Sequence, residues 1–465
     1  MKSVALHNLG CKVNSYELDV IEQALKEEGY EIRPFDQPAD IYIINTCTVT
    51  NIADRKSRQM IHRAKKENPG ALVVAVGCYV ETNEDKVKMD ECIDIAIGNN
   101  KKNQVVDILK KYIEENCSES ENEGSDQSVV RAHKNVTMEM DPSIKAGSKE
   151  KTEYEEMKLS HVPDHTRAYI KIQDGCNQFC SYCLIPFARG RIRSRQQKDV
   201  VSEILGLAAL GIKEVVITGI HISSYGLDRE ESELLDLLKK IHAIKGIERI
   251  RLSSLEPRII TPKMAKAMAA MPKLCPHFHL SLQSGCENTL KRMNRHYTAE
   301  EYYKGVELLR QVYDRPAITT DVIVGFPGET EEEFEESRAF CEKVDFYEMH
   351  VFKYSVRKGT AAEKMPDQLT DRKKSERSDV LLEMTKEQSR RYRESFIGEK
   401  VKVLWEDAQE IDGKLYITGH TERYVRFAME IADQKKADEL SGTFAEGNCE
   451  GFLTEDIMLL TAQVA

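Results

Sequence analysis

No stretch of this 465-residue chain reaches the roughly 18 consecutive apolar residues that a membrane-spanning helix needs, so no transmembrane helix is expected. The N-terminal MKSVALHNLGCKVN has an apolar run too short and too interrupted for a secretory signal, which predicts a cytoplasmic protein. An excess of basic charge is also missing. Lys and Arg number 67 against 78 Asp and Glu, a net charge of -11, so any nucleic-acid contact must come from a local patch and not from the surface as a whole. A phosphate loop is absent: GFPGET, from Gly325 to Thr330, lacks the lysine and the spacing of a Walker sequence. It reads instead as a strand-to-helix turn with Thr330 as the helix N-cap. No nucleophile pattern supports a hydrolase. What is present is a chain 41% hydrophobic and 31% charged, long enough for two or three domains. It also holds 12 cysteines, which secretory disulfides do not explain in such a chain.

Apolar runs alternate with helical spacing from the start. Val4–Leu9, Ile41–Asn45, Leu72–Val76 and Ile93–Ile97 read as buried parallel strands, and 14–28, 53–67 and 101–115 as helices between them. That order predicts an α/β, doubly wound parallel-sheet domain over 1–116. Residues 117–163 turn polar and rich in Ser, Glu and Lys, predicting a flexible linker. A second alternation over 164–394 (AYIKIQ, EVVIT, RIRLSS, HFHLSLQ, TTDVIVGF, HVFKYS) has six strand–helix units and predicts a partial (β/α) barrel, ending in a charged helix near 371–394. Over 395–465, short strands with Gly turns predict a small closed β-barrel resembling an OB-like RNA-binding fold.

The cysteines supply the chemistry. Cys176, Cys180 and Cys183 stand three then two residues apart, directly after a strand ending in Asp174-Gly175. Three such cysteines could be a chance cluster of buried residues, a zinc site missing one ligand, or three corners of a 4Fe–4S cluster, which normally takes four protein thiolates. Three leave one iron open to the amino and carboxylate groups of S-adenosylmethionine, whose reductive cleavage gives methionine and a 5′-deoxyadenosyl radical. Cys11, Cys47 and Cys78 each follow one of the first three predicted strands. Loops after neighbouring parallel strands lie side by side at the carboxyl edge of the sheet, where three thiols could hold a second cluster or could be core residues. Cys92, Cys117, Cys275, Cys286, Cys341 and Cys449 share no such placement and read as ordinary cysteines.

LGCKVNSYE, NTCTVT, VGCY and IQDGCNQFCSYCLIPFARGRIRSR together resemble the methylthiotransferases of the radical S-adenosylmethionine superfamily. HLSLQSGCENTLKRMNR, TTDVIVGFPGETEEEF and VFKYSVRKGTAA extend the likeness through the predicted barrel, and the C-terminal β-domain resembles the family's RNA-binding TRAM domain. The resemblance implies two 4Fe–4S clusters, an auxiliary one on Cys11, Cys47 and Cys78 and a radical-generating one on Cys176, Cys180 and Cys183. It implies S-adenosylmethionine as cofactor, tRNA as partner, and a reductant such as flavodoxin or ferredoxin. One S-adenosylmethionine would methylate sulfur held at the auxiliary cluster, and a second would yield the radical that activates the substrate carbon. GCKVNSYE and IQDGCNQFCSYCLIPFARGR most resemble the subfamily acting at C2 of threonylcarbamoyladenosine beside the tRNA anticodon. Isopentenyladenosine in tRNA, an aspartate of a ribosomal protein, and a non-catalytic iron–sulfur RNA-binding redox sensor are the alternatives.

By the same resemblance, Tyr182 packs near the cofactor's adenine and Gly219 presents backbone to its methionine part. The usual Gly-Gly-Glu is absent there, which disfavours a side-chain role for His221. Gln283, Ser284 and Asp321 would face the barrel mouth, and Gly325 would allow close backbone approach to the cofactor. Arg189, Arg191, Arg193 and Arg195 alternate, so an extended segment would carry all four on one face toward the RNA backbone. A second basic run, Arg55, Lys56, Arg58, Arg63, Lys65 and Lys66, is as readily a solvated helix face. Residues 395–465 hold 7 Lys and Arg against 14 Asp and Glu, so RNA binding there would rest on shape or stacking.

Overall fold

A computed structural model describes residues 2–117, 136–144, 152–163 and 165–461. The first sheet has six parallel strands: β1 Ser3–Asn8, β2 Glu31–Arg33, β3 Ile41–Thr46, β4 Leu72–Gly77, β5 Ile95–Ile97 and β6 Thr137–Glu139. Their order is β2-β1-β3-β4-β5-β6. Val4, Ile43, Val74 and Ile95 pack on one side of it, against Tyr16, Ile21 and Leu25 of helix Lys12–Glu27 and Leu109 of helix Val105–Cys117. Ala5, Ile44, Val73 and Ala75 pack on the other, against Ile61 and Ala64 of helix Asn51–Glu67. Strands buried on both faces explain the continuous apolar runs in their sequence.

The flexible-linker expectation for 117–163 is corrected over its described part. Thr137–Glu139 pairs with Ile95–Ile97 as the sheet's edge, and Met157 and Leu159 are buried in the main core. Leu159 N–H also donates to Glu203 at 2.7 Å. Apolar residues placed singly among polar ones hide such docking from a composition reading. The remaining residues of that stretch lie outside the described ones.

The central unit is an open barrel built from β7 Ala168–Asp174, β9 Glu214–Gly219, β10 Arg249–Leu252, β11 His277–His279, β12 Ala317–Val324 and β13 Glu348–Lys353. These six are parallel, with single bridges joining the β10 and β11 sides, and a short antiparallel β8, Arg193–Ser194, flanks β7. Ile170 and Ile172 point outward to Val200, Ile204 and Leu207 of helix Gln197–Ala209. Tyr169, Lys171 and Gln173 alternate with them and face inward. Helix Glu331–Val344 starts with a capping box between Thr330 and Glu333, as the turn reading of GFPGET requires.

The charged helix runs Asp371–Glu394 and leads into a closed barrel of β14 Lys400–Ile411, β15 Lys414–His420, β16 Arg426–Glu430, β17 Phe444–Phe452 and β18 Met458–Thr461. This barrel covers the strand-start end of the central one. Arg249 donates to the carbonyls of His420 and Lys402 at 2.9 and 2.7 Å, and Arg251 to those of Glu422 and Thr421 at 3.0 and 3.2 Å. Tyr424 stacks on both His277 and His420. The opposite, strand-end rim carries the cysteine loop.

Candidate functional site

At the carboxyl edge of the first sheet, the loops after β1, β3 and β4 carry three thiols near one another. Gly10 has φ +112, and a Cβ on it would lie 3.1 Å from both Cβ and Sγ of Cys47, so the loops after β1 and β3 touch only because that residue is glycine. Cys11 is the N-cap of helix Lys12–Glu27, and Cys78 opens the short helix Cys78–Thr82. The three thiols are close enough to influence one another electrostatically. Burial pushes the Cys47 thiol up to about 12. A bound cation reverses that preference, because a coordinating thiol loses its proton outright. Cys78 Sγ accepts from Asn99 Nδ2 at 3.6 Å and from Arg189 Nε at 3.4 Å.

The second trio is shaped by its backbone. Gly175, with φ +71, has no room for a side chain, since a Cβ would fall 1.9 Å from the carbonyl oxygen of Arg191. Asp174 Oδ1 accepts the Gly175 N–H at 2.8 Å, and the Cys176 N–H donates to the Gly190 carbonyl at 3.0 Å, closing the loop. Each sulfur here has its own donor. Gln178 N–H reaches Cys176 at 3.5 Å, Ile185 N–H reaches Cys183 at 3.4 Å, and Arg295 Nη1 reaches Cys180 at 3.2 Å. Burial raises Cys176 to about 11 and Cys183 to about 12, and the neighbouring thiols oppose ionisation further. Donors aimed at sulfur stabilise thiolates and tune cluster potential, so Cys176, Cys180 and Cys183, and Cys78 of the first trio, are suited to ligate iron–sulfur clusters. Cys275, Cys341 and Cys449 are buried elsewhere, Cys286 caps helix Glu287–Arg292, and Cys92 sits beside Asp90.

The two trios are tied through buried charge. Arg189 is 0% exposed and donates to Glu17, Asp174 and Asn14 at 2.7–3.1 Å as well as to Cys78. Lys102 and Lys171 pair with the same Glu17 at 2.5 and 2.7 Å, and Lys171 and Arg193 add to Asp174 at 2.7 and 3.6 Å. Burial works to raise the Glu17 carboxyl, but Arg189, Lys102 and Lys171 outweigh it and hold the group well below the usual range. Four cations face two carboxylates. Arg189 brings positive charge beside Cys78, where three thiolates of a cluster would place negative charge.

This arrangement corrects the RNA reading of the alternating arginines. Arg189 and Arg195 are wholly buried and Arg193 is 2% exposed. Arg195 pairs with Glu203 and Glu156, and Arg193 Nη1 donates to the carbonyls of Arg189 and Arg191. The segment is extended only at β8, so the four do not share an outer face. Arg191 alone is exposed, with its guanidinium 4.5 Å from the ring centre of Phe179. Lys and Arg residues of helix Asn51–Glu67 include an exposed face with Arg55, Lys56 and Lys66.

The expected cofactor residues are placed unevenly. Tyr182 meets Phe326 edge-on, 6.2 Å between ring centres, within an apolar cluster that includes Met293 and Tyr354. Gly219 ends β9 with a Cβ position only 3.0 Å from the Gln173 carbonyl. Gln283 adopts φ +68, and its backbone bonds to Asp321 and Ile323 of β12 in a parallel bridge. Ser284 is corrected: it is buried, and its hydroxyl accepts the Cys286 N–H at 3.2 Å as a local cap. Gly325 does admit a close approach, but by Lys374, whose Cγ would lie 2.4 Å from a Cβ. Asp321 lies deeper, paired with His279 at 3.3 Å. His221 Nδ1 shares a hydrogen bond with Ser224 at 2.6 Å, and burial, with Arg295 and Arg258 nearby, lowers its imidazole to about 4. Arg295, Glu17, Lys171 and Asn99 were not singled out by sequence. A lysine inside the apolar run AYIKIQ and a glutamate spaced four residues from both Val13 and Ile21 were the available signals.

Residues 3–98 match the model described as Uncharacterized protein family UPF0004, and residues 170–341 match the Radical SAM superfamily. The chain is 38% identical over 428 residues to the threonylcarbamoyladenosine tRNA methylthiotransferase MtaB of Bacillus subtilis (strain 168), covering 92% of this chain and 90% of that one. Its identity to the protein of the same name from Aquifex aeolicus (strain VF5) is 37%, covering 90% and 97%. The tRNA-2-methylthio-N(6)-dimethylallyladenosine synthase of Caldicellulosiruptor saccharolyticus is 33% identical, covering 87% and 82%. Among solved structures, the radical S-adenosylmethionine methyltransferase TsrM from Kitasatospora setae superposes with a TM-score of 0.52 at 20% identity, covering 76% of this chain and 75% of that one, a likeness of fold. With two relatives of one name spanning nine-tenths of its length and a radical S-adenosylmethionine domain at its centre, the chain belongs to the radical S-adenosylmethionine tRNA methylthiotransferase family.

Proposed function

We propose that this chain attaches a methylthio group to C2 of N6-threonylcarbamoyladenosine next to the anticodon of tRNA. The observation that carries the reading is the ordering of relatives: those named for threonylcarbamoyladenosine reach 38 and 37% identity over nine-tenths of the chain, against 33% for one named for dimethylallyladenosine. A purine C–H offers no acidic proton and no leaving group. S-adenosylmethionine at a cluster held by Cys176, Cys180 and Cys183 would supply a radical able to activate that bond, and a cluster held by Cys11, Cys47 and Cys78 would supply a place to hold sulfur.

The chain's own residues do the rest. Cys176, Cys180 and Cys183 hold the radical-generating cluster, with Gln178, Ile185 and Arg295 donating to their sulfurs. Cys11, Cys47 and Cys78 hold the auxiliary cluster. Arg189 bridges the elements that carry the two trios, fixing one relative to the other. Tyr182 and Gly219 line the cofactor pocket beside the strand-end rim. Residues 1–116, 164–394 and 395–465 divide the work into sulfur carriage, radical generation and RNA grip by the closed barrel, with Arg191 adding a phosphate contact. A flavodoxin- or ferredoxin-type protein delivers the electron, and a tRNA substrate places the enzyme in the cytoplasm.

Nucleoside mass spectrometry of tRNA from cells lacking the protein tests the assignment. The 2-methylthio derivative of threonylcarbamoyladenosine should vanish while its unmodified precursor accumulates. Loss of the methylthio derivative of isopentenyladenosine instead would transfer the assignment to the alternative substrate.

A further inference from the structure

The lumen of the central barrel holds a cavity of about 390 Å³, closed at the strand-start end by Tyr424 of the C-terminal barrel. Its volume lies within the ~300–1,000 Å³ of ordinary ligand pockets. The wall is polar: Arg251, His279, Asp321 and His350 project from β10 to β13, and Lys12 enters from the first helix of the N-terminal sheet unit. All three structural units therefore contribute to one chamber.

Most of the charges in it are already matched. Arg251 Nε pairs with Glu214 at 2.8 Å, and its Nη atoms serve the carbonyls of Glu422 and Thr421. Asp321 is taken by His279, whose ring stacks on that of His350 with 5.8 Å between centres. Among the described residues Glu348 and Lys12 make no ion pair, and of the lining Lys and Arg residues Lys12 alone is unmatched. Its side chain is open to the chamber, and among the described residues no carboxylate lies within ion-pair distance of its ammonium. Arg251 and Arg167 repel it, while Cys11 and Asp321 attract it. An ammonium held in a chamber with other cations and no acidic partner is a receptor for an anion from outside the protein.

Lys12 directly follows Cys11, so an anion held there keeps the rest of its molecule beside the sulfur-carrying trio. We infer that this chamber receives the threonylcarbamoyl group of the target nucleoside, and that Lys12 binds its carboxylate and is a specificity-determining residue. The inference rests on the substrate reading given above. The hydroxyl and carbamoyl of the same group suit His279, Asp321 and His350, which offer both donors and acceptors. An isopentenyl group has neither charge nor polar atoms, and placing it here would leave those groups unpaired. A site built for polar contacts rejects an analogue that cannot make them.

The test uses the reconstituted full-length enzyme and an anticodon stem-loop RNA carrying threonylcarbamoyladenosine. The probe is the same RNA with the threonyl carboxylate as its methyl ester, which keeps the shape and removes the charge. A charge-assisted contact is strong enough that the wild-type enzyme should favour the acid by about tenfold or more, through KM. K12Q should lose that preference, with KM for the acid rising to that for the ester, and K12R should keep it. Iron content of each preparation reports whether the neighbouring Cys11 site is intact. A wild-type enzyme that treats acid and ester alike overturns the inference, whatever becomes of the variants. So does an iron-replete K12Q with wild-type KM and undiminished preference. The substrate reading fails separately, if the wild-type enzyme methylthiolates isopentenyladenosine RNA and ignores threonylcarbamoyladenosine RNA.

Discussion

Alanine at Cys176, Cys180 and Cys183 together should lower the iron of anaerobically reconstituted protein from about eight atoms per chain to about four, and abolish production of 5′-deoxyadenosine. The reason is geometric. Three sulfurs on one eight-residue loop each receive a separate donor, and no other described cysteine shares that loop. Alanine at Cys11, Cys47 and Cys78 should remove a similar amount of iron with the opposite chemical signature. Radical generation needs only the cofactor-binding trio, so 5′-deoxyadenosine should still form while methylthiolated RNA disappears. Iron assays, 5′-deoxyadenosine assays and nucleoside analysis on one set of preparations separate the cases. Unchanged iron in the first variant would reject the ligand assignment, and full methylthiolation by the second would reduce the N-terminal trio to structural cysteines.

The sequence carries the two trios in different ways. Cys176, Cys180 and Cys183 are local, and spacing alone brings their sulfurs together. Cys11, Cys47 and Cys78 are brought together by parallel pairing of β1, β3 and β4, so their reading depended on first recognising the strands. Ile41–Ile44 and Val73–Val76 made that possible, being apolar throughout because both faces are covered. The strand–helix alternation, the helix at 371–394 and the Thr330 cap followed from equally local signals.

What sequence did not show is where charges go. Arg189, Arg193 and Arg195 alternate as residues of an exposed strand do, yet they turn inward because Glu17, Asp174 and Glu203 wait in elements far away in the chain. A pattern of cations fixes their spacing, and only tertiary structure supplies their partners. Lys12 is the converse: nothing local marks it, and its meaning comes from a chamber assembled by three units. Residues 137–139 likewise became a strand because β5 offers an unpaired edge, not because Thr-Met-Glu is a strong strand sequence.

The contrast between Arg189 and Arg191 gives the other large effect. Replacing Arg189 by Met keeps much of the side chain's length and removes its charge from the most connected position of the buried network. Glu17 and Asp174 would lose two contacts each, and Asn14 and Cys78 one each, all within the buried network. Deleting one partner of a buried ion pair usually costs about 3–5 kcal/mol, because the charge left behind stays desolvated. Lys102, Lys171 and Arg193 remain to compensate the two carboxylates, so the lower end of that range is expected for R189M. The donor to Cys78 goes as well, and iron at the N-terminal trio should fall with the midpoint of thermal unfolding. R189K should not restore either property, since an ammonium cannot reproduce a fork that reaches Glu17, Asp174 and Asn14 at once. R191A should behave in the reverse way. Its exposed guanidinium contributes little to folding, so stability should stay within about 0.5 kcal/mol. If Arg191 touches one phosphate, tRNA affinity should weaken and the slope of log affinity against log salt should shrink by about 1. Unfolding curves, iron content and salt titrations on R189M and R191A decide the matter together. A stable R189M with a flattened salt slope would return Arg189 to the RNA surface and undo the buried-network account; an unstable R189M whose folded fraction keeps the wild-type slope would establish it.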